Sequence, residues 1–279
     1  MIFLKELNLI ANEYYLMLDF MRIYRSYYPF QIFEPMGLTH LDFKDISIFY
    51  GDNGTGKTTL LNIIAKRTKA IRKSDPNYGD LFDKYVENCS DYFINREMLT
   101  EVKMLTSDDV FDRLLDIRAI NSGVNRRKEF LADQYMKAKY EGTYSNLEEM
   151  QDVIDARKMT KSAYIRSRLR NNNYLQQSNG ESALDFWQQE IKENGLYILD
   201  EPENSLSPQN QIRLKEFIEE SVRFFNCQFI ISTHSPFLLA LQDAVIFDLD
   251  NGGKTKKWEE LGSIQSYYQF FRDRKDRFE

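Results

Sequence analysis

The stretch Gly51-Asp-Asn-Gly-Thr-Gly-Lys57-Thr58 constrains the fold of this chain more than any other. It follows an apolar run, Asp45–Tyr50 (DISIFY), and precedes Thr58–Lys66, where Leu60, Leu61, Ile64 and Ala65 recur at helical spacing. A buried strand that turns through glycines into a helix builds an anion site. Glycines let backbone N–H groups turn inward, and the helix start adds its positive dipole end. The G-x-x-x-x-G-K-T spacing therefore predicts a phosphate loop of Gly51, Asp52, Asn53, Gly54, Thr55, Gly56, Lys57, Thr58 and Thr59. Lys57 is expected at the β- and γ-phosphates and the Thr58 hydroxyl on Mg²⁺, which makes ATP and Mg²⁺ the expected cofactors.

The rest of the chain reads as α/β at both ends and helical in the middle. Ile2–Leu9 and Leu38–Phe43 are strand candidates ahead of the loop, and Asp91–Ile94 is a short one after it. From about 98 to 173 the sequence is charge-dense, with helical periodicity. Ser107 opens one helix that Asn121-Ser-Gly123 is expected to break. Ser145-Asn-Leu-Glu148 is a capping box for a second, running to Asn171-Asn-Asn173. Beyond 174, Leu196–Leu199, Gln228–Ser232 and Val245–Leu249 read as strands. Ile212, Leu214, Phe217, Ile218 and Val222 mark an amphipathic helix, and 262–278 reads as a charged terminal one. The expected architecture is a mostly parallel sheet in a P-loop core (1–70 and 174–279) interrupted by a helical insertion (71–173).

Two strand exits carry further chemistry. Leu196-Tyr-Ile-Leu-Asp200-Glu201-Pro202 ends an apolar run in two carboxylates. Asp200 is placed to take Mg²⁺ through water, and Glu201, one residue on, to polarise an attacking water. The second exit, Gln228-Phe-Ile-Ile-Ser-Thr-His234-Ser235-Pro236, ends at one of only two histidines. His234 is there either a γ-phosphate contact or a hydrogen-bonded structural histidine. Ser178-Asn-Gly-Glu181 is a capping box opening a helix that carries Leu184, Trp187 and Ile191. Alone it is a capped helix; its place 22 residues before Asp200 gives it further weight.

Together these motifs resemble the ATP-binding-cassette ATPase superfamily. Within it they look most like the branch of chromosome-maintenance, DNA-repair and overcoming-lysogenization-defect proteins. Asn53-Gly54 matches the inner N-G of that family's loop, and Gln177-Ser178-Asn179-Gly180-Glu181 stands where its L-S-G-G-Q signature falls. Asn204-Ser-Leu-Ser207 replaces the S-A-L-D after the D-E-P, and S-T-H-S-P surrounds His234. The resemblance implies an ATP-dependent homodimer in which two copies sandwich two ATP molecules. Each ATP would be held by one copy's phosphate loop and by Ser178 and Gly180 of the other. Glu201, His234 and Lys57 would be the catalytic residues, with Glu201 as base and His234 as γ-phosphate sensor; Thr58 and Asp200 would hold the metal. Asn95 and Gln134 are candidates for the Q-loop residue, and Tyr27, Tyr28, Phe30 and Phe33 for the adenine-stacking aromatic.

The formal charge of −6 excludes an electrostatic footprint for nucleic acid over the whole surface. One local exception is Arg157, Lys158, Lys161, Arg166, Arg168 and Arg170, six bases with no acid between 156 and 170. The run is either a solvated helix face or a contact for nucleic acid or an effector protein. No apolar stretch approaches the roughly 20 residues that span a bilayer, so direct membrane insertion is not expected. Cys89 and Cys227 are the only cysteines, as befits a reducing, cytoplasmic compartment. The motifs thus lead to ATP hydrolysis that opens and closes a dimer in a DNA-associated or phage-defence process. The alternatives are the nucleotide-binding subunit of a membrane transporter, or an ATP-gated module controlling a separate effector.

Overall fold

A computed structural model of the chain describes residues 1–10, 28–33, 35–73, 80–142, 144–145, 147–168 and 179–277. They fall into two compact units, Met1–Val110 with Asn179–Glu279 and Phe111–Ser178. Residues 71–110, grouped with the insertion in the sequence reading, join the first unit.

The first unit begins with β1 (Leu4–Asn8), α1 (Phe30–Phe33), β2 (His40–Asp42), β3 (Ile46–Tyr50) and α2 (Lys57–Arg67). α3 (Asp80–Asn88), β4 (Ser90–Phe93), β5 (Glu101–Thr106) and the start of α4 (Ser107–Tyr140) follow. The second unit holds the rest of α4, α5 (Leu147–Lys158) and α6 (Lys161–Arg168). The chain re-enters the first unit with α7 (Asn179–Glu190), β6 (Gly195–Asp200), α8 (Pro208–Phe225) and β7 (Gln228–Ser232). β8 (Val245–Asp248), β9 (Lys254–Lys256) and α9 (Gly262–Arg272) complete it. Among the described residues no helix is long and apolar enough to cross a membrane.

The fold is α/β with a mostly parallel sheet. Six strands lie in the order β5-β6-β7-β3-β8-β9, all parallel except β9. Every residue of β3, β6 and β7 is buried, as continuous apolar runs in a sheet covered on both faces require. Leu60, Leu61, Ile63 and Ile64 of α2 are fully buried, each worth about 1.5–3 kcal/mol of transfer free energy. A second, antiparallel sheet has the order β2-β1-β4.

Gln228 ties the N-terminal segment to the parallel sheet. Its Oε1 accepts the N–H groups of Phe3 and Leu4, each at 2.8 Å. Its Nε2 donates to the carbonyl oxygens of Leu4 (2.8 Å) and Lys44 (3.0 Å). One fully buried amide thus satisfies four main-chain groups.

Several elements differ from the sequence expectation. β5 lies inside the stretch read as helix. Its Glu101 and Lys103 suit an edge strand: Lys103 pairs with Glu190 at 3.0 Å, and Glu101 accepts the Tyr197 hydroxyl at 2.8 Å. Asn121-Ser-Gly123 does not break α4, which runs unbroken for 34 residues. A helical glycine costs only about 1 kcal/mol, and this one lies in open space. The helix ends instead at Gly142, in the left-handed region with φ 61°, where its N–H reaches back to the Lys137 carbonyl. The helix expected from Ser145 to Asn171 is two helices, because Thr160 turns the chain and its hydroxyl accepts the Ala163 N–H at 3.3 Å. The Ser145 N–H is taken by Glu149 at 2.6 Å. In α8 the buried positions include Leu214 and Ile218, whereas Ile212 is 39% exposed. The terminal helix stops at Arg272, and a 3-10 turn, Lys275–Arg277, follows.

Candidate active site

Register brings the candidate residues together. β6 pairs with β7 so that Asp200 lies opposite Ser232, and β3 pairs with β7 so that Phe49 also lies opposite Ser232. Three neighbouring parallel strands therefore end at one level. The loop after Tyr50, the Asp200-Glu201 pair and the Thr233-His234 segment leave the sheet side by side, at the carboxyl ends where open α/β sheets bind ligands.

The phosphate loop has the backbone its sequence predicts. Gly54 and Gly56 adopt φ 85° and 93°, and Gly56 caps the start of α2. A Cβ on Gly56 would meet Ile32 Cγ2 at 2.6 Å, so α1 closes one side of the loop. Lys57 is buried, and its ammonium donates to the carbonyl oxygens of Gly51 (2.8 Å) and Asp52 (3.0 Å). Burial lowers its pKa, against the raising effect of Glu201, Asp250, Asp200 and Asp52. Of the other loop residues, Thr55 donates its hydroxyl to the Asp52 carbonyl at 2.9 Å. Asn53 is exposed, and Thr59 accepts the Tyr28 hydroxyl at 3.0 Å.

The two acids at the end of β6 differ in environment. Asp200 Oδ1 accepts the Thr58 hydroxyl at 3.2 Å and the Ser232 hydroxyl. Burial pushes the Asp200 carboxyl up; the bonds from Ser232 and Thr58 oppose that, and the charge of Glu201 adds to it. Glu201 sits at φ 48°, a left-handed conformation that costs a side-chain-bearing residue about 1–2 kcal/mol. Two bonds hold it there, its N–H donating to the Ser232 carbonyl (3.0 Å) and hydroxyl (3.2 Å). Asn204 Nδ2 donates to Glu201 Oε2 at 3.0 Å. The carboxylate is aimed, not merely present.

His234 faces that carboxylate, its Nε2 3.9 Å from Glu201 Oε1. Nε2 is buried and has no hydrogen-bond partner among the described residues. Burial lowers the imidazole pKa, the Lys57 charge lowers it further, and Glu201 acts in the opposite sense. A neutral imidazole with an orphaned buried nitrogen, beside a buried lysine and a row of loop N–H groups, fits an anionic group between them.

Other candidates fall elsewhere. Ser178, Gln177, Tyr27 and Arg170 lie outside the described residues, and Gly180 stands in the first turn of α7. Asn95 spends its side chain on the Ile2 carbonyl (3.1 Å), and Gln134 belongs to the second unit. Tyr28 stacks on Phe82, Phe30 packs edge-on against Tyr85, and Phe33 is buried, so these aromatics support α2 and α3. Among the described residues no group of three or more His, Cys, Asp or Glu side chains could hold a metal. A divalent cation here would have Thr58 and Asp200 as its protein contacts.

Three contributors escaped the sequence reading. Ser232 grips both Asp200 and Glu201. Glu203 Oε1 accepts the N–H groups of His234 (2.7 Å) and Ser235 (3.2 Å). Asp250, in a 3-10 turn after β8, takes the Asp52 N–H with both oxygens at 3.0 and 3.1 Å. Ser232 stood inside a quoted motif and Glu203 between two of them; nothing local marks Asp250, 198 residues from its partner.

A family model described as ABC transporter matches residues 40–204, 165 of the 279 residues, and one described as AAA ATPase domain matches residues 181–239. No curated protein matches the sequence. Among solved structures, the chain is similar to the SMC head domain from Thermotoga maritima at 17% identity, covering 87% of this chain and 94% of that one, TM-score 0.40. It is also similar to the Smc head domain of Pyrococcus furiosus bound to the C-terminal domain of ScpA, at 15% identity, 96% and 100% coverage and TM-score 0.41. A dimeric, post-hydrolysis ATP-binding cassette bound to ADP and Pi shares 18% identity over 78% of this chain and 88% of that chain, TM-score 0.36. With the phosphate loop, the paired acids and the histidine at one sheet edge, the chain belongs to the ABC transporter family and is an ATPase of its type.

Proposed function

We propose that the chain works as an ATP-gated homodimer whose hydrolysis opens and closes two composite sites. The observation that carries this is the convergence of Lys57, Thr58, Asp200, Glu201 and His234 at the ends of β3, β6 and β7. In this reading Gly51–Thr59 wraps the phosphates, and Lys57 exchanges its loop carbonyls for phosphate oxygens. Thr58 and Asp200 hold Mg²⁺, which supplies charge neutralisation at the phosphates. Glu201, the aimed carboxylate, orients and deprotonates the attacking water. His234 donates a hydrogen bond from its orphaned nitrogen to the γ-phosphate.

Ser178 and Gly180 belong to the second copy's share of each site. Gly180 opens α7, so its helix start offers N–H groups and a dipole end to an anion. A two-fold dimer repeats such a contact, giving two sites at once. The S-T-H-S-P around His234 and the reduced signature favour the chromosome-maintenance, DNA-repair and overcoming-lysogenization-defect branch, in a DNA-associated or phage-defence role.

Light scattering of Glu201→Gln with ATP and Mg²⁺ tests the reading. A dimer that forms with ATP, and that Ser178→Arg prevents, supports it. A chain that stays monomeric with concentration-independent turnover overturns it.

A further inference from the structure

Charge is divided unequally between the two units. Residues 111–178 carry 13 Lys and Arg against 9 Asp and Glu, a net +4, while the remainder carries 24 against 34, a net −10. Within the basic unit the cations gather where the end of α4 meets the turn between α5 and α6. The Tyr135 hydroxyl donates to the Met159 carbonyl at 3.2 Å, and Arg157 Nη2 lies 3.0 Å from where a Cβ on Gly142 would stand. These contacts bring the last turn of α4, which carries Lys137 and Lys139, against the turn that carries Arg157, Lys158 and Lys161.

Arg168, from the same basic run, is not part of this group. It pairs with Asp152 (2.6 Å) and Asp155 (3.1 Å) and lies over the Tyr164 ring, so it holds α6 to α5. Lys137, Arg157, Lys158 and Lys161 are exposed and have no carboxylate partner among the described residues. Lys139 reaches the Tyr135 hydroxyl. On α5, Asp152 and Asp155 are taken by Arg168 and Glu149 is bonded to the Ser145 N–H, while Glu141 lies exposed in the turn after α4. Lys137, Lys139, Arg157 and Lys158 sit in last helical turns, where a cation also suits the helix dipole. Lys161 opens α6, where the dipole disfavours it. Tyr140 and Tyr144, 74% and 57% exposed, flank Gly142 in the same corner.

We infer that this corner binds single-stranded nucleic acid: the five cations track the phosphates, and Tyr140 and Tyr144 stack on unpaired bases. Cations interleaved with exposed aromatic rings are the combination that single strands select. The inference gives the DNA-associated half of the proposed function a surface, yet rests on residues of the second unit alone.

The test is fluorescence anisotropy of the full chain with labelled oligothymidylate and oligouridylate of about 20 nucleotides, and with a duplex of equal length. Binding of either single strand should weaken steeply between about 50 and 200 mM salt. Lys158→Glu with Lys161→Glu should reduce affinity about tenfold or more and flatten that slope. Tyr140→Ala with Tyr144→Ala should weaken single strands about tenfold and leave the duplex unchanged. ATP hydrolysis of these variants should be unaltered, which shows that they fold. Lys57→Ala should keep nucleic-acid binding, so failure of the ATP-site reading would be seen separately. No binding at low salt, or affinity indifferent to the charge reversals, overturns the inference. So does a duplex bound as tightly as the single strands. Charge reversal that alters self-association but not oligonucleotide binding assigns the corner to a protein contact, and also overturns it.

Discussion

Glu203 Oε1 lies 2.7 Å from the main-chain nitrogen of His234 and accepts its N–H. The same oxygen takes the Ser235 N–H at 3.2 Å, so a carboxylate three residues past Asp200 sets the path of the histidine loop. Further support comes from Ser235, whose hydroxyl donates to Gln211 Oε1 at 2.7 Å. Glu203 is therefore a positioning residue. Glu203→Ala should lower kcat about 10- to 100-fold with KM for ATP little changed, since a displacement near 1 Å at a reacting centre costs that much. Glu203→Gln, which keeps an oxygen acceptor, should restore most of the rate. Steady-state hydrolysis of both variants decides this; equal loss in the two would reject an acceptor role.

Lys57→Ala should abolish ATP binding, because it removes the fixed positive charge among the phosphates. Glu201→Gln should leave binding intact and lower hydrolysis about 10²- to 10⁴-fold, the usual contribution of a positioned base. Turnover should fall in both variants, and calorimetry should separate them: ATP bound by Glu201→Gln and not by Lys57→Ala.

The imidazole of His234 should titrate below its ordinary 6.5 in the nucleotide-free protein, depressed first by burial and then by Lys57. As pH falls through 6.5 the unfolded chain takes up this proton before the folded one. Stability from this group is thus present above 6.5 and is lost as pH drops through the lower folded value. NMR of the His234 ring protons measures the midpoint directly. In Lys57→Ala it should move up, and an unmoved midpoint would mean that Lys57 does not act on the ring.

Gln228→Leu should destabilise the fold by about 3 kcal/mol. It orphans the N–H groups of Phe3 and Leu4 and removes the donor to the Leu4 and Lys44 carbonyls, all without adding a cavity. Denaturant unfolding checks the size, and a loss under about 1 kcal/mol would mean that water replaces the amide.

What could be read along the chain was what the chain builds locally. The glycines of the phosphate loop, the largely apolar and fully buried strands β3, β6 and β7, and the amphipathic spacing of α8 act within a few residues of themselves. Their backbone demands are visible in residue type alone. β5 was misread because an edge strand tolerates the charges of Glu101 and Lys103, and charge at that density resembles a solvated helix. Asn121-Ser-Gly123 misled for the opposite reason: a local penalty of about 1 kcal/mol cannot end a 34-residue helix.

The tertiary structure decided what the motifs could not. Pairing Asp200 and Phe49 with the same Ser232 is a matter of register between strands far apart in sequence. The bonds from Asp250 to the phosphate loop, from Glu203 to the histidine loop and from Gln228 to the N-terminal strand span 31 to 225 residues. Such contacts leave no periodicity and no spacing to read. They exist because parallel strands must stop at a common edge, and the polar groups stranded there must find partners across the fold.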